Sequence, residues 1–217
     1  ETKAALAKLD FLLVQDIFPT ETTRYADVVL PGASFAEKDG TFTNTERRIQ
    51  RIHRAIRPVG QSLPDWQIIS RLATRMGYSM EYSSADRIMA EIASVTPIYG
   101  GVNYDRLGDG GIQWPCPHQG HPGTKFLHHE RFAGGKGRLA VVRPQEPAEL
   151  PDDDYPFILS TGRHLYHYHT GTMSRRSYGL ETFRPEPYVE ISPQTAADFG
   201  IKEGELVGVA TRRGEIA

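Results

Sequence analysis

Three histidines, an arginine and two threonines crowd into one short run, Thr161-Gly162-Arg163-His164-Leu165-Tyr166-His167-Tyr168-His169-Thr170-Gly171, directly after the apolar Phe157-Ile158-Leu159. Such a run is equipped to cradle an anion. Gly162 lets backbone N–H groups approach a ligand closely, Arg163 can grip a phosphate through two parallel hydrogen bonds, and His164, His167 and His169 add donors whose charge follows pH. A phosphate-rich cofactor suits this chemistry, and a loop whose cations are solvated or paired with carboxylates suits the local pattern as well. Metal binding suits it less. His167 and His169 are two apart, on one face of a strand, but no carboxylate or Cys stands at zinc spacing beside them. The adjacent His128 and His129 diverge, so no metal site is expected.

The elements that must position this chemistry read as α/β. After a helical Thr2 to Ala7, the run Phe11-Leu12-Leu13-Val14 has the continuous apolar character of a strand buried on both faces, and Asp27-Val28-Val29-Leu30 repeats it before Pro31-Gly32. The polar Thr20 to Arg24 between them has room for a short helix. This is the rhythm of a parallel sheet, in which ligands sit beyond the carboxyl ends of strands; Gln15, Asp16 and the segment from Pro31 to Ser34 occupy that position. Pro64, the helical spacing of Trp66, Ile69, Ala73 and Met76, and the stop at Gly77 predict a helix over 64–76, with Asp65 in the first turn where the helix dipole favours a carboxylate. Ser83 or Ser84 caps a further helix through Ile92. From Pro97 to Gly137 the chain is rich in Gly, Pro and His and reads as a long irregular excursion.

A strand at Arg138 to Val142 is expected next. The Pro-rich, acidic segment from Arg143 to Pro156 has the composition of a linker and puts a domain boundary near residue 150. Beyond it the pattern predicts strands at Phe157 to Leu159, Tyr188 to Ile191 and Glu205 to Thr211. A helix from Ser192-Pro193 to Phe199 ends at Gly200, and Arg212-Arg213-Gly214 reads as a hairpin turn. The chain is 217 residues long with 39% hydrophobic residues, enough to bury a core in one or two domains. A formal net charge of -2 carries no nucleic-acid signature. The cations from Arg47 to Arg57, interleaved with Ile49, Ile52 and Ile56, read as one apolar face with a solvated back. Cys116, the single cysteine, excludes an internal disulfide and an iron–sulfur ligand set within this chain, and its place between Pro115 and Pro117 points to a structural role. No apolar run is long enough to insert in a membrane. A start at Glu1 without Met and a stop just after the hairpin suggest a piece of a longer polypeptide.

Six segments in order carry a resemblance: Val14 to Thr22, Ala26 to Pro31, Glu37 to Gln50, Pro64-Asp65-Trp66, Gln113 to Pro117, and Thr161 to Gly171. Together they resemble the molybdopterin oxidoreductase (dimethyl sulfoxide reductase) superfamily, most closely the catalytic subunits of formate dehydrogenases. The resemblance implies a Rossmann-like α/β domain over 1–150 and the opening of a double-psi β-barrel domain over 151–217. It implies a bis-molybdopterin guanine dinucleotide cofactor carrying molybdenum or tungsten. Gln15, Asp16, Lys38 and Asp65 match positions that hold one nucleotide arm, and Thr161, Gly162, Arg163, His164, His167, His169 and Thr170 match the segment lining pterin and phosphates. The metal ligand, the catalytic residues and a 4Fe-4S cluster belong to earlier domains of such a subunit, so no catalytic residue is expected here. Formate is the implied substrate, iron–sulfur subunits or domains the implied partners, and the cytoplasm the expected compartment. A nitrate reductase-type member of the superfamily, or the non-catalytic large iron–sulfur subunit of NADH:quinone oxidoreductase, would share much of this pattern.

Overall fold

The computed structural model describes residues 2–132 and 134–216; Glu1, Ala133 and Ala217 lie outside them. The chain divides between Arg138 and Leu139 into two compact units. The first opens with helix α1 (Thr2–Leu6) and a parallel pair of strands, β1 (Leu13–Asp16) and β2 (Val28–Pro31), in the register Leu13 with Val28 through Asp16 with Pro31. The predicted parallel pairing is therefore present, with β1 shifted two residues toward its carboxyl end. A 3-10 turn, Thr22–Tyr25, joins the strands, and Thr23 fastens it by donating its hydroxyl to the Thr20 carbonyl at 2.7 Å. The parallel alignment continues past β2, because Gly32 bridges Leu63 and the Ala33 N–H donates to the Leu63 carbonyl at 2.8 Å.

Helix α2 (Asp65–Arg75) follows at once, one residue inside each predicted boundary. Pro64 precedes it, Asp65 and Arg75 sit at the dipole-matched ends, and Gly77 takes a φ of 89° to let the chain leave. Helix α3 (Ala85–Val95) runs three residues beyond the expected end at Ile92.

Three antiparallel strands form a second sheet: β3 (Gly40–Thr43), β4 (Arg48–Ile52) in the centre, and β5 (Ile112–Gln113). The β3–β4 turn is built by Asn44, whose side-chain oxygen accepts from the N–H groups of Glu46 at 2.9 Å and Arg48 at 3.0 Å. Period-two alternation on β4 buries Ile49, but Ile52 falls on the opposite face and Ile56 is exposed, so the expected apolar face of the basic run reduces to Ile49. Around Ile49 the core gathers Met89, Val102, Leu107, Ile112 and Cys116.

Four of these six core residues come from the stretch expected to be irregular. It contains a 3-10 turn (Pro97–Tyr99), helix α4 (Tyr104–Leu107) capped by Asn103, and β5. These elements are two to four residues long, too short to leave a periodic signature amid Gly and Pro. Two arginines hold the segment. Arg106 donates to the carbonyls of Gly101 and, at 2.6 Å, His121, and to Cys116 Sγ at 3.4 Å. Arg47, held at a φ of 65°, donates to the carbonyl of Trp114 and, at 3.0 Å each, to those of Thr124 and Lys125.

The second unit contains helices α5 (Tyr178–Phe183) and α6 (Pro193–Phe199) and one hairpin, β6 (Val209–Thr211) with β7 (Gly214–Ile216). Helix α6 has the predicted limits: Ser192 Oγ accepts from Thr195 N–H at 3.0 Å and Gly200 closes it in the left-handed region. The hairpin turn falls at Arg212-Arg213 as expected, and its arginines pair with Glu149 and Asp152. Among the described residues the strands expected at Arg138 to Val142, Phe157 to Leu159 and Tyr188 to Ile191 form no ladder, and that expected over Glu205 to Thr211 shortens to three residues. Their apolar side chains stand in solvent, Leu139 at 102% and Ile158 at 75% exposure. A strand exists only with a partner for its N–H and C=O groups, and these segments lack one.

Candidate functional site

The carboxyl ends of β1 and β2 and the start of α2 meet in the first unit, and three of the expected site residues meet there. Gln15 is the penultimate residue of β1 and donates its side-chain amide to Asp65 Oδ1 at 2.6 Å. Lys38, arriving from the turn after β2, donates its ammonium to Asp65 Oδ2. Asp65 is the first residue of α2. Asp16, at the strand end, serves the backbone instead: its carboxylate accepts from the Phe18 N–H at 3.1 Å and its carbonyl from the Gly32 N–H at 3.0 Å.

The Asp65 side chain keeps 46% of its surface exposed, while that of Lys38 keeps 23%. Partial burial raises the Asp65 carboxyl pKa, but the hydrogen bonds from Lys38 and then Gln15, with the Lys38 charge, outweigh it and hold the group below the usual carboxylate range. Backbone approaches closely here. A Cβ added at Gly32 would stand 3.3 Å from Asp65 Oδ1 and 3.7 Å from the Asp16 carbonyl oxygen, so glycine at this position keeps the carboxylate's flank clear.

Glu37, beside Lys38, opens the Glu37 to Gln50 segment and carries no assigned role in the sequence. It is 6% exposed and divides its two oxygens: Oε2 accepts from Ser34 N–H at 2.7 Å and Oε1 from Val59 N–H at 2.8 Å. The Ser34 backbone and side-chain hydrogen bonds lead in holding its pKa down against burial. Ser34-x-x-Glu37 is a capping-box spacing, the signal that would have marked it.

In the second unit the run from Thr161 to Gly171 is irregular and mostly exposed. Thr161, Gly162 and Arg163 lie at the surface, and nothing stands within 4 Å of where a Gly162 Cβ would be. The His164 ring lies 5.6 Å, edge to face, from Tyr188, and His169, at a φ of 53°, meets the Tyr168 ring at 4.6 Å. Thr170 and Thr172 hydroxyls approach to 3.5 Å. His167 differs from its neighbours. Only 8% exposed, it places Nε2 2.7 Å from the Arg184 carbonyl and Nδ1 3.1 Å from Ser174 Oγ, with Glu181 3.6 Å away. A carbonyl only accepts, so donor–acceptor bookkeeping assigns the proton to Nε2; Ser174 then gives its proton to Nδ1 while accepting from the Tyr168 N–H. His167 thus ties the run to the segment around α5 and has no ring nitrogen left over for a ligand.

The chain matches the molybdopterin oxidoreductase family over residues 1–75 and the molydopterin dinucleotide binding domain over residues 157–217. It belongs to the molybdopterin oxidoreductases. Over 216 residues it is 54% identical to the F420-dependent formate dehydrogenase subunit alpha of Methanocaldococcus jannaschii, a match covering 98% of this chain and 32% of the relative. It is 50% identical over 216 residues to the F420-dependent formate dehydrogenase 1 subunit alpha of Methanococcus maripaludis, with the same coverage of 98% and 32%. A probable oxidoreductase of Bacillus subtilis shares 44% identity over 98% of this chain and 22% of its own length. The chain therefore spans about a third of the length of the two archaeal relatives. Acetylene hydratase from Pelobacter acetylenicus shares the fold, with a TM-score of 0.66 at 20% identity over 97% of this chain and 31% of that one.

The donor set suits a guanine nucleotide. Each Asp65 oxygen accepts one hydrogen bond from within the chain, which leaves lone pairs for the adjacent N1–H and N2 amine of guanine. Lys38 adds a cation, and the bare Gly32 leaves the flank open. No helix among the described residues is long and apolar enough to cross a membrane.

Proposed function

We propose that this chain is the cofactor-binding part of the catalytic subunit of a formate dehydrogenase that carries molybdenum or tungsten on bis-molybdopterin guanine dinucleotide. The observation that carries the reading is the meeting of Gln15, Lys38 and Asp65 at the strand ends, in a chain 54% identical to a formate dehydrogenase alpha subunit. When bound, the cofactor supplies the two-electron chemistry that takes formate to carbon dioxide.

The residues of this chain bind and tune. Asp65, ionised and flanked by Lys38, selects guanine by accepting from both of its neighbouring donors, and Gln15 fixes the carboxylate's rotation. Asp16 and Gly32 shape the backbone bed beside it. In the second unit Arg163 grips phosphate, Thr161, Gly162 and Thr170 present small groups and backbone donors to it, and His164 and His169 donate to pterin heteroatoms. His167 holds that run in shape. Residues 1–150 act as the nucleotide-binding domain, and residues 151–217 belong to a double-psi β-barrel domain. Electrons pass to an iron–sulfur cluster and partner subunits in the cytoplasm; F420, named in the archaeal relatives, is the acceptor this reading puts first.

The test is made on the anaerobically purified native protein containing this chain. Elemental mass spectrometry will find about one molybdenum or tungsten atom per chain, acid release will yield about two guanine nucleotides, and formate will reduce F420 or a viologen dye. An intact protein with neither metal nor guanine nucleotide removes the cofactor reading. A loaded protein inert to formate removes the substrate alone.

A further inference from the structure

The Lys38–Asp65 pair is made by two segments, the turn after β2 and the loop leading into α2, which a parallel bridge joins at Gly32 and Leu63. Between that bridge and the Lys38 turn, one buried side chain spans them as well. Glu37 precedes Lys38 directly, and the residue whose N–H it reaches, Val59, lies six positions before Asp65. A capping box needs only one carboxylate oxygen, the one that accepts from Ser34 N–H at 2.7 Å. The other oxygen crosses 22 residues of sequence to the Val59 N–H at 2.8 Å. Burying a carboxylate is unfavourable unless both oxygens are satisfied, and here both are spent on backbone donors of the two segments that deliver the site.

Backbone bonds run alongside. The Ala36 carbonyl accepts from Ala55 at 2.8 Å and Ile56 at 3.1 Å, and Leu63 is laced to Pro31 and Ala33. These bonds hold the chain at Ile56 and again at Leu63, and Glu37 fixes the stretch between them at Val59.

We propose that Glu37 is the positioning residue of the nucleotide site: its carboxylate sets the spacing between the Lys38 turn and the approach to α2, so that the ammonium meets Asp65 in the orientation a guanine requires. The assignment rests on the reading of Asp65 as the guanine acceptor. Glu37 itself touches no nucleotide; it acts through Lys38.

The experiment measures how fast the purified holoenzyme loses bound cofactor, read as guanine nucleotide remaining per chain after timed gel filtration. Glu37→Gln presents an amide N–H where one acceptor stood, and loss will accelerate about tenfold, the effect of one lost charge-assisted hydrogen bond. In a Lys38→Met background the same substitution will add less than about twofold, because its route of action is already gone. An equal acceleration in both backgrounds shows a fold-supporting role only and overturns the proposal, as does an unchanged rate in Glu37→Gln alone. Asp65→Asn separates the two readings: if it loses nucleotide no faster than wild type, the guanine assignment fails, whatever Glu37 does. Should Glu37→Gln not accumulate as folded protein, Glu37→Asp, too short to reach both donors, goes through the same cycle with the same criteria.

Discussion

Lys38 and Asp65, 27 residues apart in sequence, meet ammonium to carboxylate where the parallel strands end. Neither is fully buried, so the pair is accessible to a ligand and weakly worth its own Coulomb energy; exposed pairs contribute at most about 1 kcal/mol to folding. Its value lies in holding an ionised acceptor at a fixed angle.

Asp65→Asn keeps the shape of the side chain and replaces one acceptor with a donor that faces the donors of guanine. Cofactor retention will fall by about tenfold to a hundredfold, the range for a lost hydrogen bond to a charged group, while folding stability at neutral pH drops by no more than the roughly 1 kcal/mol such a half-exposed pair contributes. Guanine nucleotide and metal per chain, measured together, check this.

The same carboxylate sets an acid limit. Its folded-state pKa lies below the unfolded value, so its contribution is complete above the ordinary Asp pKa of about 3.9 and is lost as pH falls through the lower folded value. Glu37 is lowered too and acts in the same direction. The stability difference between wild type and Asp65→Asn will be flat from pH 7 to about pH 5 and shrink below about pH 4. Urea titrations of both proteins across that range measure it.

His167 and Arg163, four residues apart, will separate on substitution. His167→Ala removes a buried ring with its bonds to the Arg184 carbonyl and Ser174 and will destabilise the second unit by about 1–3 kcal/mol. Arg163→Ala removes an exposed cation; its urea midpoint will stay within about 0.5 kcal/mol of wild type while guanine nucleotide retention drops. Unchanged metal content in Arg163→Ala would sink its phosphate role.

Leu107→Ala tests the core. Leu107 is 2% exposed and packs with Ile49, Val102 and Cys116, so the truncation will cost about 2–5 kcal/mol. A pulse-proteolysis assay on the native protein reads this as earlier cleavage within the first unit.

What could be read without coordinates follows from how far each element carries its own signal. The parallel pair announced itself through continuous apolar runs, and α2 and α6 through a proline at the start and a glycine at the stop. The β5 strand and α4 did not, because two or four residues hold no period. Apolar runs in the second unit were legible as strands in composition, but pairing is a property of two segments. At the site, Asp65 could be placed in a first helical turn, where a purely electrostatic role accounts for it equally well. Its joining to Gln15 and Lys38 depends on a crossover that local sequence does not encode. His167 looked like its neighbours, and only burial sets it apart.

Arg47 bears on the order in which the first unit assembles. Its guanidinium closes onto carbonyls 67 to 78 residues further along the chain, so the turn it occupies gains its stabilisation only after the segment through Lys125 has been synthesised and folded back. Contacts of such sequence separation slow folding, since the closure entropy is lost before the bond forms. A ribosome-bound chain shorter than that will hold the β3–β4 hairpin open, and the first unit will become protease-resistant only as residue 125 emerges.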